Sequence, residues 1–166
     1  QRQMCIRDSI GFVPDGCGAF LNLTGRENLI SRCIEWGLPK SEVNRVLAAV
    51  GLENAADASV KQYSLGMKRR LDIGTALLGN PQLLIMDEPI NGLDPVGVIE
   101  VRDLQLSLKD KRDKTVLISS HNLDELEKVA TSFAFLHQGR LLVKEENSYK
   151  DRSLEKRFLD LIGEAD

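Results

Sequence analysis

The chain has 166 residues, with 22 Lys plus Arg against 25 Asp plus Glu and a formal charge of −3, a length that points to about one domain. With 42% hydrophobic and 28% charged residues, it has enough apolar mass for a core, which excludes wholesale disorder and collagen-like or mucin-like classes. The mildly acidic balance argues against nucleic acid as the main partner. Apolar runs such as Leu83 to Met86 fall far short of the roughly 20 residues a bilayer demands. Cys5, Cys17 and Cys33 fit neither a disulfide framework nor a zinc site, so the chain reads as a reduced, cytosolic protein with no secretory signal.

Gln1 to Ser9 is polar and aperiodic, and reads as a non-native leader. Ile10 to Val13 reads as a strand that Pro14, Asp15 and Gly16 break. Thr24 and Glu27 form a T-x-x-E capping box, and Leu29, Cys33 and Trp36 recur at helical spacing until Gly37 and Pro39. A second helix opens at Ser41, carries Val43, Val46, Leu47 and Val50 on one face and closes on Gly51. A third spans Ser64 to about Leu78, before Gly79 and Pro81. Residues 24–78 are therefore expected to form a helical subdomain.

The pattern then changes. Leu83 to Met86, ending in Asp87, and Thr115 to Ser119 read as strands buried on both faces. Asp94 and Pro95, an N-cap followed by Pro at the first helical position, start a helix between them. Strand, helix, strand implies parallel pairing through a crossover. Asn122 to Thr131 reads as a helix, Phe133 to His137 with Arg140 to Lys144 as a hairpin around Gln138 and Gly139, and Ser153 to Ile162 as a closing helix. An α/β core remnant over about 79–145 and a C-terminal helix over about 153–162 complete the expected organisation, with no internal repeat.

An apolar strand ending in two carboxylates places Asp87 and Glu88 at the carboxyl end of a parallel sheet, where open α/β folds bind ligands. Asp87 is suited to Mg²⁺ and Glu88 to polarising a water. Upstream, Tyr63 to Met67 (YSLGM) sets a serine and a glycine at a helix start, where free N–H groups favour phosphate. Downstream, Asn91 to Pro95 (NGLDP) and Ser119 to His121 (SSH) fall at loop positions beside the strand ends. Lys68, Arg69 and Arg70 read as a solvated basic face. Cys17 and Cys33, with no His or acidic neighbour to suggest a lowered pKa, read as buried or idle thiols, and Trp36 as core or interface.

In this order and spacing the motifs resemble the nucleotide-binding domain of ABC transporters, over nearly all of Ile10 to Ile162. The resemblance implies a partial P-loop NTPase of RecA-like, ABC type: a mostly parallel sheet with flanking helices plus the helical subdomain. It implies that Tyr63 to Met67 is the signature motif, with Ser64 and Gly66 contacting nucleotide. It makes Leu83 to Asp87 the Walker B strand with Asp87 at Mg²⁺, Glu88 the catalytic glutamate, Asn91 to Asp94 the D-loop and His121 the switch histidine. Ile10 to Asp15 resembles the start of the Q-loop, with Asp15 where the family usually has glutamine; Leu65 and Met67 also depart from the commonest signature. SLGMKRRL, NGLDPVGVIEVR and SSHNLDELEKVA are most similar to the drug and antimicrobial-peptide export branch, the bacitracin and lantibiotic ATPases among them.

The resemblance further implies ATP and Mg²⁺ as cofactors, a head-to-tail dimer with a second ATPase subunit, and a membrane-spanning permease. It implies no nucleic acid, and a place in the cytoplasm on the inner face of a bacterial membrane. Phe20, Trp36 and the loop from Pro14 to Leu23 are candidates for permease contact. No G-x-x-x-x-G-K-[ST] occurs in the 166 residues, so the chain is expected to be a domain lacking its Walker A loop, the main phosphate cradle. On its own it is then expected to be inactive. The rival readings are a soluble ABC-type ATPase of translation or DNA repair, and a catalytically dead fragment that only docks on partners.

Overall fold

The computed structural model describes residues 9–109, 114–147 and 153–165. The expected leader falls almost wholly outside these residues, as does Cys5. The chain divides into two compact units, residues 1–119 and 120–166.

The first unit is built on a three-stranded parallel sheet in the order β1 (Ile10–Val13), β2 (Leu83–Asp87), β3 (Thr115–Ser119). Phe12 lies level with Ile85, Ile85 with Leu117, and Asp87 with Ser119. The helices are α1 (Gly25–Trp36), α2 (Glu42–Ala49), α3 (Leu65–Ala76) and α4 (Pro95–Lys109). The Thr24–Glu27 box forms in both directions and Gly37 closes α1 at φ 68°, a left-handed conformation that glycine adopts without steric cost. Ser41 precedes α2 but makes no side-chain cap. Two short 3₁₀ turns, Glu53–Ala55 and Val60–Gln62, join α2 to α3 and were not expected.

One face of the sheet is covered: Val13, Leu84 and Met86 are fully buried in one core with Leu71, Ile73 and Leu77 of α3 and its C-terminal cap and with Val101, Leu104 and Leu108 of α4. Contact between β1 and the end of α3 is intimate enough that a Cβ on Gly11 would lie 2.2 Å from the Ala76 carbonyl oxygen. The opposite face corrects the expectation of strands buried on both sides. Phe12 and Leu117 are each 57% exposed, and exposure alternates along β3. A continuous apolar run reports that both faces are apolar, not that both are covered.

The second unit holds α5 (Leu123–Val129), the antiparallel pair β4 (Ser132–His137) and β5 (Arg140–Glu146), and α6 (Leu154–Ala165). Gln138 and Gly139 turn the hairpin at positive φ, as their sequence predicts. Phe133 and Phe135 pack with Leu154 and Leu161, Phe135 stacks on Phe158 at 5.7 Å, and Arg157 pairs with Glu145 at 2.7 Å. The Asn147 amide closes α5 by donating to the carbonyls of Glu127 and Ala130.

Candidate functional site

Asp87 stands exposed at the end of β2, where its carboxylate accepts a 2.5 Å hydrogen bond from the Ser119 hydroxyl. The next residue, Glu88, leaves the strand at φ 45°, a left-handed conformation that costs a branched or long side chain about 1 kcal/mol or more. Its N–H donates to the Ser119 carbonyl at 3.0 Å and its carbonyl accepts from Asn91, so the backbone is pinned at both ends of the turn. The Glu88 side chain is half-buried. Parallel register alone brings Asp87, Glu88 and Ser119 together.

Ser64 caps α3: its hydroxyl accepts from the Met67 N–H at 3.1 Å, leaving other first-turn N–H groups without helical partners. Tyr63 is core, its hydroxyl donating to the Ala55 carbonyl at 2.7 Å. Gly66 is buried where α3 crosses α4, and a Cβ there would sit 3.3 Å from the Gly97 Cα. Asp94 caps α4, accepting from the Gly97 N–H at 2.8 Å, as the D-P pair predicts.

Asp15 is exposed on the loop after β1, with the Arg69 guanidinium 3.5 Å away. The expectation of a solvated basic face over Lys68 to Arg70 is overturned at Arg69 and Arg70. Arg69 is buried and donates to the carbonyls of Pro14 (2.7 Å) and Gly16 (3.2 Å). Arg70 donates to the carbonyls of Val50 and Gly51 and pairs with Glu100 at 3.3 Å. Helical spacing identified α3, but α3 carries inward-facing residues nearly all round, so its arginines find loop carbonyls instead of water.

Asp72, absent from the sequence-derived candidates, is buried one turn after Arg69 and accepts the Gly18 N–H at 3.1 Å. Burial pushes its carboxyl up to about 6, against the opposing pull of the Gly18 N–H, Arg69 and the Cys17 thiol. Cys17 therefore has an acidic neighbour after all, 55 positions along the chain. Cys33 is buried, and burial pushes its thiol up. His121 lies in the second unit, exposed, one residue before Asn122, the cap of α5.

Among the described residues no three His, Cys, Asp or Glu side chains converge to hold a metal. One or two carboxylates without a protein cage suit Mg²⁺, which keeps its waters and takes further oxygens from substrate phosphates. The oxygen donors Asp87 and Ser119 fit that ion, and the N-terminus of α3 fits a phosphate.

A family model described as ABC transporter matches residues 1–91. The chain belongs to the ABC transporter family. It is 45% identical over 134 residues to a bacitracin transport ATP-binding protein of Bacillus licheniformis, covering 80% of this chain and 44% of that protein. It is 39% identical over 153 residues to a lantibiotic transport ATP-binding protein of Streptococcus pyogenes, covering 92% and 66%. The solved structure of an ATP-binding subunit of an ABC transporter superposes with a TM-score of 0.78 at 27% identity, over 96% of this chain and 71% of that one. The mixed α/β core is thus the ABC ATPase fold, as the motifs imply. The chain spans about half the length of the bacitracin transport relatives it matches.

Proposed function

We propose that the protein to which these residues belong is the ATP-hydrolysing, energy-coupling subunit of an exporter for a drug or an antimicrobial peptide. The observation that carries this reading is the Asp87–Glu88 pair at the carboxyl end of the central parallel strand, oriented by Ser119, in a chain of the ABC family. Relatives named for bacitracin and lantibiotic transport support the export branch.

In this reading Asp87 holds Mg²⁺, which when bound supplies charge neutralisation of nucleotide phosphates. Ser119 holds the Asp87 carboxylate through its hydroxyl. Glu88, which follows the strand with a left-handed backbone, accepts a proton from water as general base. Ser64 and the first turn of α3 present N–H groups to ATP held by a second ATPase subunit, head to tail; Asp94 and His121 are further residues proposed to serve nucleotide. The chain's own 166 residues contain no Walker A motif, so we expect no hydrolysis from this stretch by itself.

The permease is proposed to meet the surface around Phe20 and Trp36, which are 55% and 49% exposed. The buried Asn28 side chain accepts the Phe20 N–H at 2.7 Å and donates to the Phe20 carbonyl at 3.0 Å, and Arg32 stands 6.0 Å from the Phe20 ring centroid. Such docking places the protein on the inner face of the cell membrane; no helix among the described residues is long and apolar enough to cross it.

The test is ATP hydrolysis by the intact reading frame together with its permease. Glu88→Gln keeps the side-chain size and removes the base, and should lower turnover about a hundredfold or more. Unchanged turnover overturns the assignment of Glu88.

A further inference from the structure

We propose that Arg69 and Asp72 are positioning residues that clamp the loop Pro14–Gly18 to α3, so that the loop carrying Asp15 and the helix headed by Ser64 move as one body. Four contacts converge from one helical turn onto four of the five loop residues. Arg69 donates to the carbonyls of Pro14 and Gly16 and pairs with the Asp15 carboxylate at 3.5 Å, while Asp72 accepts the Gly18 N–H at 3.1 Å. Arg69 and Asp72 stand at i and i+3, on one face of the helix. Both are more than nine-tenths buried, so their charges face loop backbone in place of water.

The chemistry is complementary. The guanidinium fork suits several carbonyls at once, and the carboxylate takes an N–H that the loop would otherwise leave unpaired beside the core. Gly16 is at φ 115° with nothing within 4 Å of its Cβ position, a glycine whose backbone is intrinsically permissive. Fixing such a segment to the helix removes that freedom. Only the meaning given to Asp15 and Ser64, as residues that face nucleotide, rests on the function proposed above; the clamp itself does not.

Amide hydrogen exchange on the 166-residue chain, without nucleotide, tests it. Asp72→Ala removes the acceptor and should speed exchange at Gly18 about tenfold, with the α3 amides unchanged. Asp72→Asn retains an acceptor oxygen and should restore Gly18 to within about threefold of the original rate. Arg69→Lys keeps the charge but loses the fork, and should speed exchange over residues 15–18 even if the alanine variant does not fold. Gly18 exchange unaffected by these changes overturns the clamp. So does an equal rise across α3 and the loop in both Asp72 variants, which marks a purely global role. Neither outcome bears on whether the whole protein hydrolyses ATP.

Discussion

Replacing Asp72 by asparagine should change how stability depends on pH. The carboxyl is buried and pushed up to about 6, against 3.8 for an unhindered aspartate. Because the folded state favours the protonated acid, the group's stabilising contribution is complete below about pH 3.8 and is lost as pH rises through 6. Linkage makes that loss about 3 kcal/mol over the whole range, and about 1.4 kcal/mol between about pH 5 and pH 8. Asparagine has the same shape and an oxygen for the Gly18 N–H, but no charge to desolvate. Urea unfolding of both chains at several pH values should therefore show the variant gaining on the original by about 1.4 kcal/mol between pH 5 and 8. Parallel pH profiles would refute the burial of a charge at this position.

Gly11→Ala drives a Cβ to 2.2 Å from the Ala76 carbonyl oxygen and 2.7 Å from a Leu84 methyl; a backbone obstacle cannot rotate away, so chemical denaturation should show a loss of about 3 kcal/mol or no folded chain. Asp94→Ala removes the α4 cap and should cost about 1 kcal/mol by the same measurement. Ser119→Ala frees the Asp87 carboxylate, and in the intact protein should raise the Mg²⁺ concentration for half-maximal ATPase activity about tenfold. Glu88→Gly relieves the left-handed backbone at φ 45°, and should raise thermal stability by about 1 kcal/mol while abolishing hydrolysis by the intact protein.

Much of this fold is written locally. The Thr24–Glu27 box, the Asp94–Pro95 pair and the Gln138–Gly139 turn each fix a backbone through neighbours three residues away or fewer, and each stands where local chemistry puts it. The Asp87–Glu88 site is legible for the same reason: a strand's end and a crossover helix determine which side of the sheet holds the carboxylates. What stays hidden is tertiary. The Gly18–Asp72 bond joins residues 54 apart, and nothing in the spacing of Lys68, Arg69 and Arg70 distinguishes an arginine facing solvent from one facing loop carbonyls. The 3₁₀ turns at Glu53–Ala55 and Val60–Gln62 are too short to carry a periodic signal.

Several residues that the ABC resemblance assigns to nucleotide also carry a backbone constraint that has nothing to do with nucleotide. Gly66 lets α3 approach α4, because a methyl group there would press on the Gly97 Cα at 3.3 Å. Asp94 spends one carboxylate oxygen on the Gly97 N–H, and a Cβ on Gly97 would meet that oxygen at 2.9 Å. Helices α3 and α4 are thus joined through a glycine pair and a cap, and substitution at any of the three is expected to shift both helices. Lost activity in Gly66→Ala or Asp94→Ala therefore does not separate a ligand contact from a displaced helix. Glu88→Gln is the sharper test, since Gln has the same branching and length and leaves the bonds to Ser119 and Asn91 in place because they use only backbone atoms, while it replaces the basic carboxylate with a neutral amide.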